Sequence, residues 1–83
     1  MNISELINFG SNLLKENKIN SHILDAEILL SKTLKKSREE ILVNFDQTIE
    51  EKYMVNYKSL LERRIKKEPI AYIIEEKEFW SKK

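Results

Sequence analysis

The chain has 83 residues, with 15 Lys and Arg against 14 Asp and Glu for a formal net charge of +1, one glycine, one proline, one histidine and no cysteine. That length predicts one domain or a piece of one. Gly10 and Pro69 alone cannot supply the turns of a β-sandwich or barrel, nor a glycine-rich phosphate loop, and a single His22 without cysteine excludes disulfide scaffolds, thiolate metal sites and His-rich metal clusters. No apolar run approaches a bilayer span, and the N-terminal residues do not read as a secretory signal. A composition of 41% apolar and 35% charged residues describes a helical domain with a modest core and a solvated surface. The charge is uneven. Residues 1–57 carry 7 basic and 9 acidic side chains (−2), and residues 58–83 carry 8 and 5 (+3).

In chain order, Asn2 with Glu5 three residues on predicts a capping box. Ile3, Leu6, Ile7, Leu13 and Leu14 then fall on one helical stripe that includes Gly10. Glycine there costs roughly 1 kcal/mol in helix propensity, which a close approach by another helix would justify. Glu16-Asn17-Lys18 and Asn20-Ser21 predict a stop and a restart. Asp25 and Glu27 near the start of the second helix suit the positive end of its dipole. Ile23, Leu24, Ala26, Ile28, Leu29, Leu30 and Leu34 cover more than half its circumference, predicting a central helix. Lys35 and Lys36 suit its end. Ser37 to Glu40 predicts a second capping box and a short helix burying Ile41, Leu42 and Phe45.

Thr48 to Glu51 predicts a third box, opening a helix from Ile49 to about Lys67 with Ile49, Tyr53, Tyr57, Leu60, Leu61 and Ile65 inward. Pro69 disfavours helical geometry at Glu68 and suits the first position of a short helix running to Ile74. Residues 75–83 lose helical periodicity and read as extended. Phe79 and Trp80 in that tail are large apolar groups favouring burial, and a lone strand leaves its backbone groups unpaired. A truncated chain is therefore preferred to one folding back on the bundle. The expectation is an all-α bundle of four to five helices over residues 1–74, with 75–83 beginning a connector.

The run from Arg63 to Lys67 invites a phosphate-binding reading. Cations in the last turn of a helix complement its negative end, however, and the run has no interleaved aromatics, so nucleic acid is disfavoured. His22 reads as an exposed turn residue, and Tyr53, Tyr57 and Tyr72 as half-buried core. Glu50-Glu51 and Glu75-Glu76 are adjacent pairs pointing to different faces, hence surface charge.

One stretch is more specific. Arg63-Arg64, then Glu68-Pro69-Ile70-Ala71-Tyr72-Ile73, then Lys77-Glu78-Phe79-Trp80 resembles the junction segment of the HemK/PrmC family of peptide chain release factor glutamine methyltransferases. Leu24-Asp25-Ala26-Glu27-Ile28-Leu29-Leu30 resembles that family's second helix, and Phe9-Gly10 its first. The related ribosomal-protein glutamine methyltransferases share the layout, but Glu-Pro-Ile-Ala-Tyr followed by Lys-Glu-Phe-Trp is more similar to the release-factor branch. Glu75, Ser81 and His22 depart from the family, which usually has glycine at the first two positions and often proline at the third.

The resemblance implies a helical N-terminal domain, a β-hairpin connector and a catalytic domain that binds S-adenosylmethionine and carries an Asn-Pro-Pro-Tyr motif. One proline and one glycine cannot supply that motif or a cofactor loop, so this chain is expected to contribute no catalytic, cofactor or metal residues. It implies docking of the release factor beside the parent's catalytic domain, in the cytoplasm, with no membrane involved. Pro69, Tyr72, Phe79 and Trp80 are expected at the domain junction. Arg63, Arg64 and Glu68 serve either docking or the junction. The competing readings are a purely structural cap and a helical nucleic-acid or adaptor module.

Overall fold

The computed structural model describes residues 1–74. It contains four helices, α1 (Ile3–Glu16), α2 (His22–Leu34), α3 (Arg38–Leu42) and α4 (Glu51–Ile65), followed by a short helical segment, α5, over 70–74. The fold is all-α, and among the described residues the only β feature is an isolated antiparallel bridge between Asn2 and Thr48.

The start of α1 shows how local chemistry and long-range contact combine. A helix leaves its first four N–H groups without intrahelical partners. Here Glu5 N donates to Asn2 Oδ1 at 2.8 Å and Asn2 N donates back to Glu5 Oε1 at 2.9 Å. The remaining two find partners from far along the chain: Ile3 N donates to the Gln47 carbonyl at 3.0 Å and Ser4 N to the Phe45 carbonyl at 3.1 Å. Ile49 N donates to the Met1 carbonyl at 2.9 Å, so residues 45–49 run antiparallel to the N-terminus.

This arrangement corrects two expectations. Thr48 does not open a capping box; its backbone lies in the bridge to Asn2, and α4 begins later, with Glu50 flanking it and no side-chain cap. Phe45 is not buried. Its backbone is drawn to the start of α1 and the residue is left 43% exposed. The second predicted box is present: Glu40 N donates to Ser37 Oγ at 3.1 Å and Ser37 N to Glu40 Oε1 at 2.9 Å.

Helices α1, α2 and α4 end alike. Ile19 N reaches back to the Leu14 carbonyl while Lys18 N bonds Lys15; Lys36 and Lys35 repeat the pair on Ser31 and Lys32, and Glu68 and Lys67 on Arg63 and Arg64. These are Schellman ends, which need a left-handed residue. Lysine fills that position each time, at Lys18, Lys35 and Lys67, with φ of 65°, 58° and 74°.

The core is built from Ile3, Leu6 and Leu14 of α1, Leu29 and Leu30 of α2, Ile41 of α3, Tyr57 and Leu61 of α4 and Ile73 of α5, each nearly or fully withdrawn from solvent. Burying one such side chain contributes ~1.5–3 kcal/mol relative to leaving it exposed. Helix α2 touches α1, α3 and α4 and is central, as the pattern predicts. Its buried residues are Asp25, Ala26, Leu29, Leu30 and Thr33, an arc of about 140° at 100° per residue. Ile23 and Leu24, expected inside, are 57% and 45% exposed because the position facing α4 in that first turn belongs to Asp25.

Candidate functional site

The sequence singles out the end of α4 and the turn into α5, and five of the seven residues it names lie within the described region. Arg64 reaches across to α2, donating from Nε to Asp25 Oδ2 at 2.9 Å and from Nη1 to the Glu68 carbonyl at 3.0 Å. Ser21 Oγ donates to the same Asp25 oxygen at 2.8 Å. The Asp25 side chain is 3% exposed and that of Arg64 19%, so this pair is withdrawn from water. A buried pair of this kind is more telling about geometry than about stability, since desolvation offsets much of the attraction. Ser21 occupies the position flanking α2 but makes no side-chain cap, because its hydroxyl is committed to Asp25.

Arg63 donates from Nε at 3.0 Å and Nη2 at 2.8 Å to Glu68 Oε1. Both arginines therefore clasp Glu68, one through its carboxylate and the other through its backbone. The result fixes the turn over 66–69 against α2. Lys67 extends the clasp to α1, its Nζ donating to the Asn17 carbonyl at 2.9 Å.

Beyond the turn, Pro69 is exposed, and its carbonyl accepts from Tyr72 N at 3.0 Å and Ile73 N at 3.1 Å, so it flanks α5 rather than entering it. Ile73 is buried and anchors the segment, leaving Tyr72 57% exposed on its outer side. Phe79, Trp80 and the predicted connector 75–83 lie outside the described residues.

Three features escaped the sequence reading. Asp25 looks like a charge placed to suit a helix dipole; its place on the same stripe as Leu29 was the available signal that a carboxylate faces inward. Ser11 Oγ and His22 Nδ1 are 2.7 Å apart, tying α1 to the start of α2. The hydroxyl of Tyr57, fully buried rather than half-buried, donates to the Ala26 carbonyl at 3.3 Å and lies against Gly10. Burial pushes that hydroxyl's pKa well above the ordinary tyrosine value.

Among the described residues no group of three or more His, Asp or Glu side chains could hold a metal ion. No helix among them is long and apolar enough to cross a membrane.

Fold and clasp together define a small all-α domain whose 66–69 turn is tied to α1 and α2. The family model described as the PrmC N-terminal domain matches residues 5–74, and the chain belongs to that family. Similar curated proteins include a release factor glutamine methyltransferase of Haemophilus influenzae, 46% identical over 86% of this chain and 24% of its own length. A bifunctional methyltransferase of Rickettsia felis is 41% identical over 96% of this chain and 15% of its own. A release factor glutamine methyltransferase of Clostridium botulinum is 40% identical over 95% and 28%. The chain thus spans less than a third of the length of these relatives. No solved structure gives a significant match.

Proposed function

We propose that this chain is the substrate-docking domain of a protein-glutamine methyltransferase that modifies the Gly-Gly-Gln glutamine of peptide chain release factors. The observation that carries this reading is the alignment of nearly the whole chain with proteins named release factor glutamine methyltransferase. In the parent, methyl transfer would use S-adenosylmethionine in a separate catalytic domain, in the cytoplasm. The residues described here do not fit that cofactor: Gly10, the single glycine, is packed under Tyr57 and cannot cradle it. No chemical step is assigned to them. Holding a large protein substrate at a second point raises the effective concentration of its reactive loop at a distant site without touching the reaction.

Arg63, Arg64 and Glu68 bond one another and Asp25, which supports a junction role for them alongside Pro69, Tyr72, Phe79 and Trp80. The same bonds weaken the nucleic-acid reading, because both arginines of the basic run are engaged inside the domain. A purely structural cap is the second reading, and the hydrogen bonds that tie the 66–69 turn to α1 and α2 favour it.

The test is a titration of isotope-labelled residues 1–83 with unmethylated release factor, followed through backbone amide shifts. Docking predicts localised, saturable shifts. A cap predicts none, alongside tight binding by the full-length enzyme.

A further inference from the structure

We infer that the docking face is a lysine patch formed where the ends of α1 and α4 meet, and that it receives a carboxylate-rich surface of the protein partner. This rests on the docking reading above and gives it a location and a complement. Lys15 and Lys18 close α1, while Lys66 and Lys67 close α4. In sequence these pairs are far apart; in the structure Lys67 Nζ sits 2.9 Å from the Asn17 carbonyl, whose carbon is bonded directly to Lys18 N. All four side chains are exposed. None forms an ion pair with another described residue, and of the two acids in the 15–18 and 66–69 turns, Glu16 and Glu68, the second is held by Arg63.

Complementing the negative end of a helix explains Lys15 and Lys66. It does not explain Lys18 and Lys67, which stand in left-handed backbone where glycine is the favoured residue. The neighbouring arginines show what pairing looks like here: Arg63 holds Glu68 and Arg64 holds Asp25. Lys15, Lys18 and Lys66 thus stand exposed and without an acidic partner among the described residues, on the two turns that the Lys67 bond to Asn17 joins, in a chain whose total charge is only +1.

The chemistry of the patch favours carboxylates over nucleic acid. It offers ammonium point charges rather than guanidinium forks, and residues 15–18 and 66–69 include no aromatic on which a base could stack. Charged faces of this type set partner choice and encounter rate and are screened by salt.

The experiment uses labelled residues 1–83, the variants K15E/K66E and K15Q/K66Q, and three probes: unmethylated release factor, a deca-glutamate peptide and poly(U) RNA. Lys18 and Lys67 stay unchanged so that the left-handed turns are undisturbed, and amide spectra verify the fold of each variant. Deca-glutamate should shift amides of residues 15–18 and 66–68 in the wild type, and Kd for release factor should rise about tenfold in K15E/K66E and about threefold in K15Q/K66Q. Unchanged release-factor affinity in both folded variants overturns the inference. Stronger shifts of the same amides by poly(U) than by deca-glutamate overturn it in favour of nucleic acid. Deca-glutamate shifts without any binding of release factor would keep the patch and reject the docking reading instead.

Discussion

The hydroxyl of Tyr57 occupies the space that a β-carbon would take at Gly10. A Cβ built there would overlap that oxygen, come within 2.9 Å of Tyr57 Cζ and lie 3.3 Å from Leu61 Cδ2. The only glycine of the chain therefore sits mid-helix for packing, not for backbone freedom. Gly10→Ala should destabilise the domain by about 1–3 kcal/mol despite alanine's better helix propensity, because overpacking outweighs it. Tyr57→Phe alone should cost about 1 kcal/mol for the lost hydrogen bond. The double variant should be less destabilised than the sum of the two, by at least about 0.5 kcal/mol, since removing the hydroxyl makes room for the added methyl. Urea denaturation of the four proteins completes the cycle, and strict additivity would contradict this contact.

The same hydroxyl gives the fold a pH dependence. Desolvation holds its pKa above the ordinary 10.0, so the folded chain keeps a proton that the unfolded chain loses. The associated stability is whole below pH 10 and declines as pH rises past it, by up to about 1.4 kcal/mol per pH unit. Denaturation at pH 9 and 11 should show a steeper loss for wild type than for Tyr57→Phe. Parallel losses in the two proteins would show that Tyr57 titrates normally.

Arg64 holds Asp25 away from water, and the two are not equally dispensable. Arg64→Met leaves a buried carboxylate without its partner and should cost about 3–5 kcal/mol. A domain of this size rarely has more than ~3–5 kcal/mol in total, so that variant should be largely unfolded at room temperature. Asp25→Asn/Arg64→Met removes both charges and should recover much of the loss. Far-ultraviolet circular dichroism distinguishes the two variants directly.

The caps separate real from apparent signatures. Asn2→Ala and Ser37→Ala each remove an observed side-chain cap and should cost about 1 kcal/mol. Thr48→Ala should change stability by less than about 0.5 kcal/mol, because no cap is formed there. Equal losses at all three positions in denaturant titrations would reinstate the third box.

Lys35 is exposed and left-handed at φ 58°. Lys35→Gly should stabilise the domain by about 0.5–1 kcal/mol, visible as a higher Tm, since glycine adopts that conformation without a Cβ penalty.

What the sequence determined by itself is the part governed by short-range chemistry. The spacing of Ile3, Leu6, Ile7 and Leu14 dictates the buried stripe of α1, and Asn2 with Glu5 and Ser37 with Glu40 close caps within four residues. The single Gly10 signals a close approach, and the block from Arg63 to Trp80 carries the family resemblance. Only the tertiary structure decided which partner meets which. Thr48 carries the pattern of a cap, yet the N–H groups of Ile3 and Ser4 draw residues 45–47 to the start of α1. Asp25 and Arg64 each look like surface charge until packing sets them 2.9 Å apart. Lys18 and Lys67 become neighbours through one bond to Asn17. Local rules fix a helix and its face, whereas the pairing of buried charges and orphan backbone donors depends on where distant segments arrive, which periodicity does not encode.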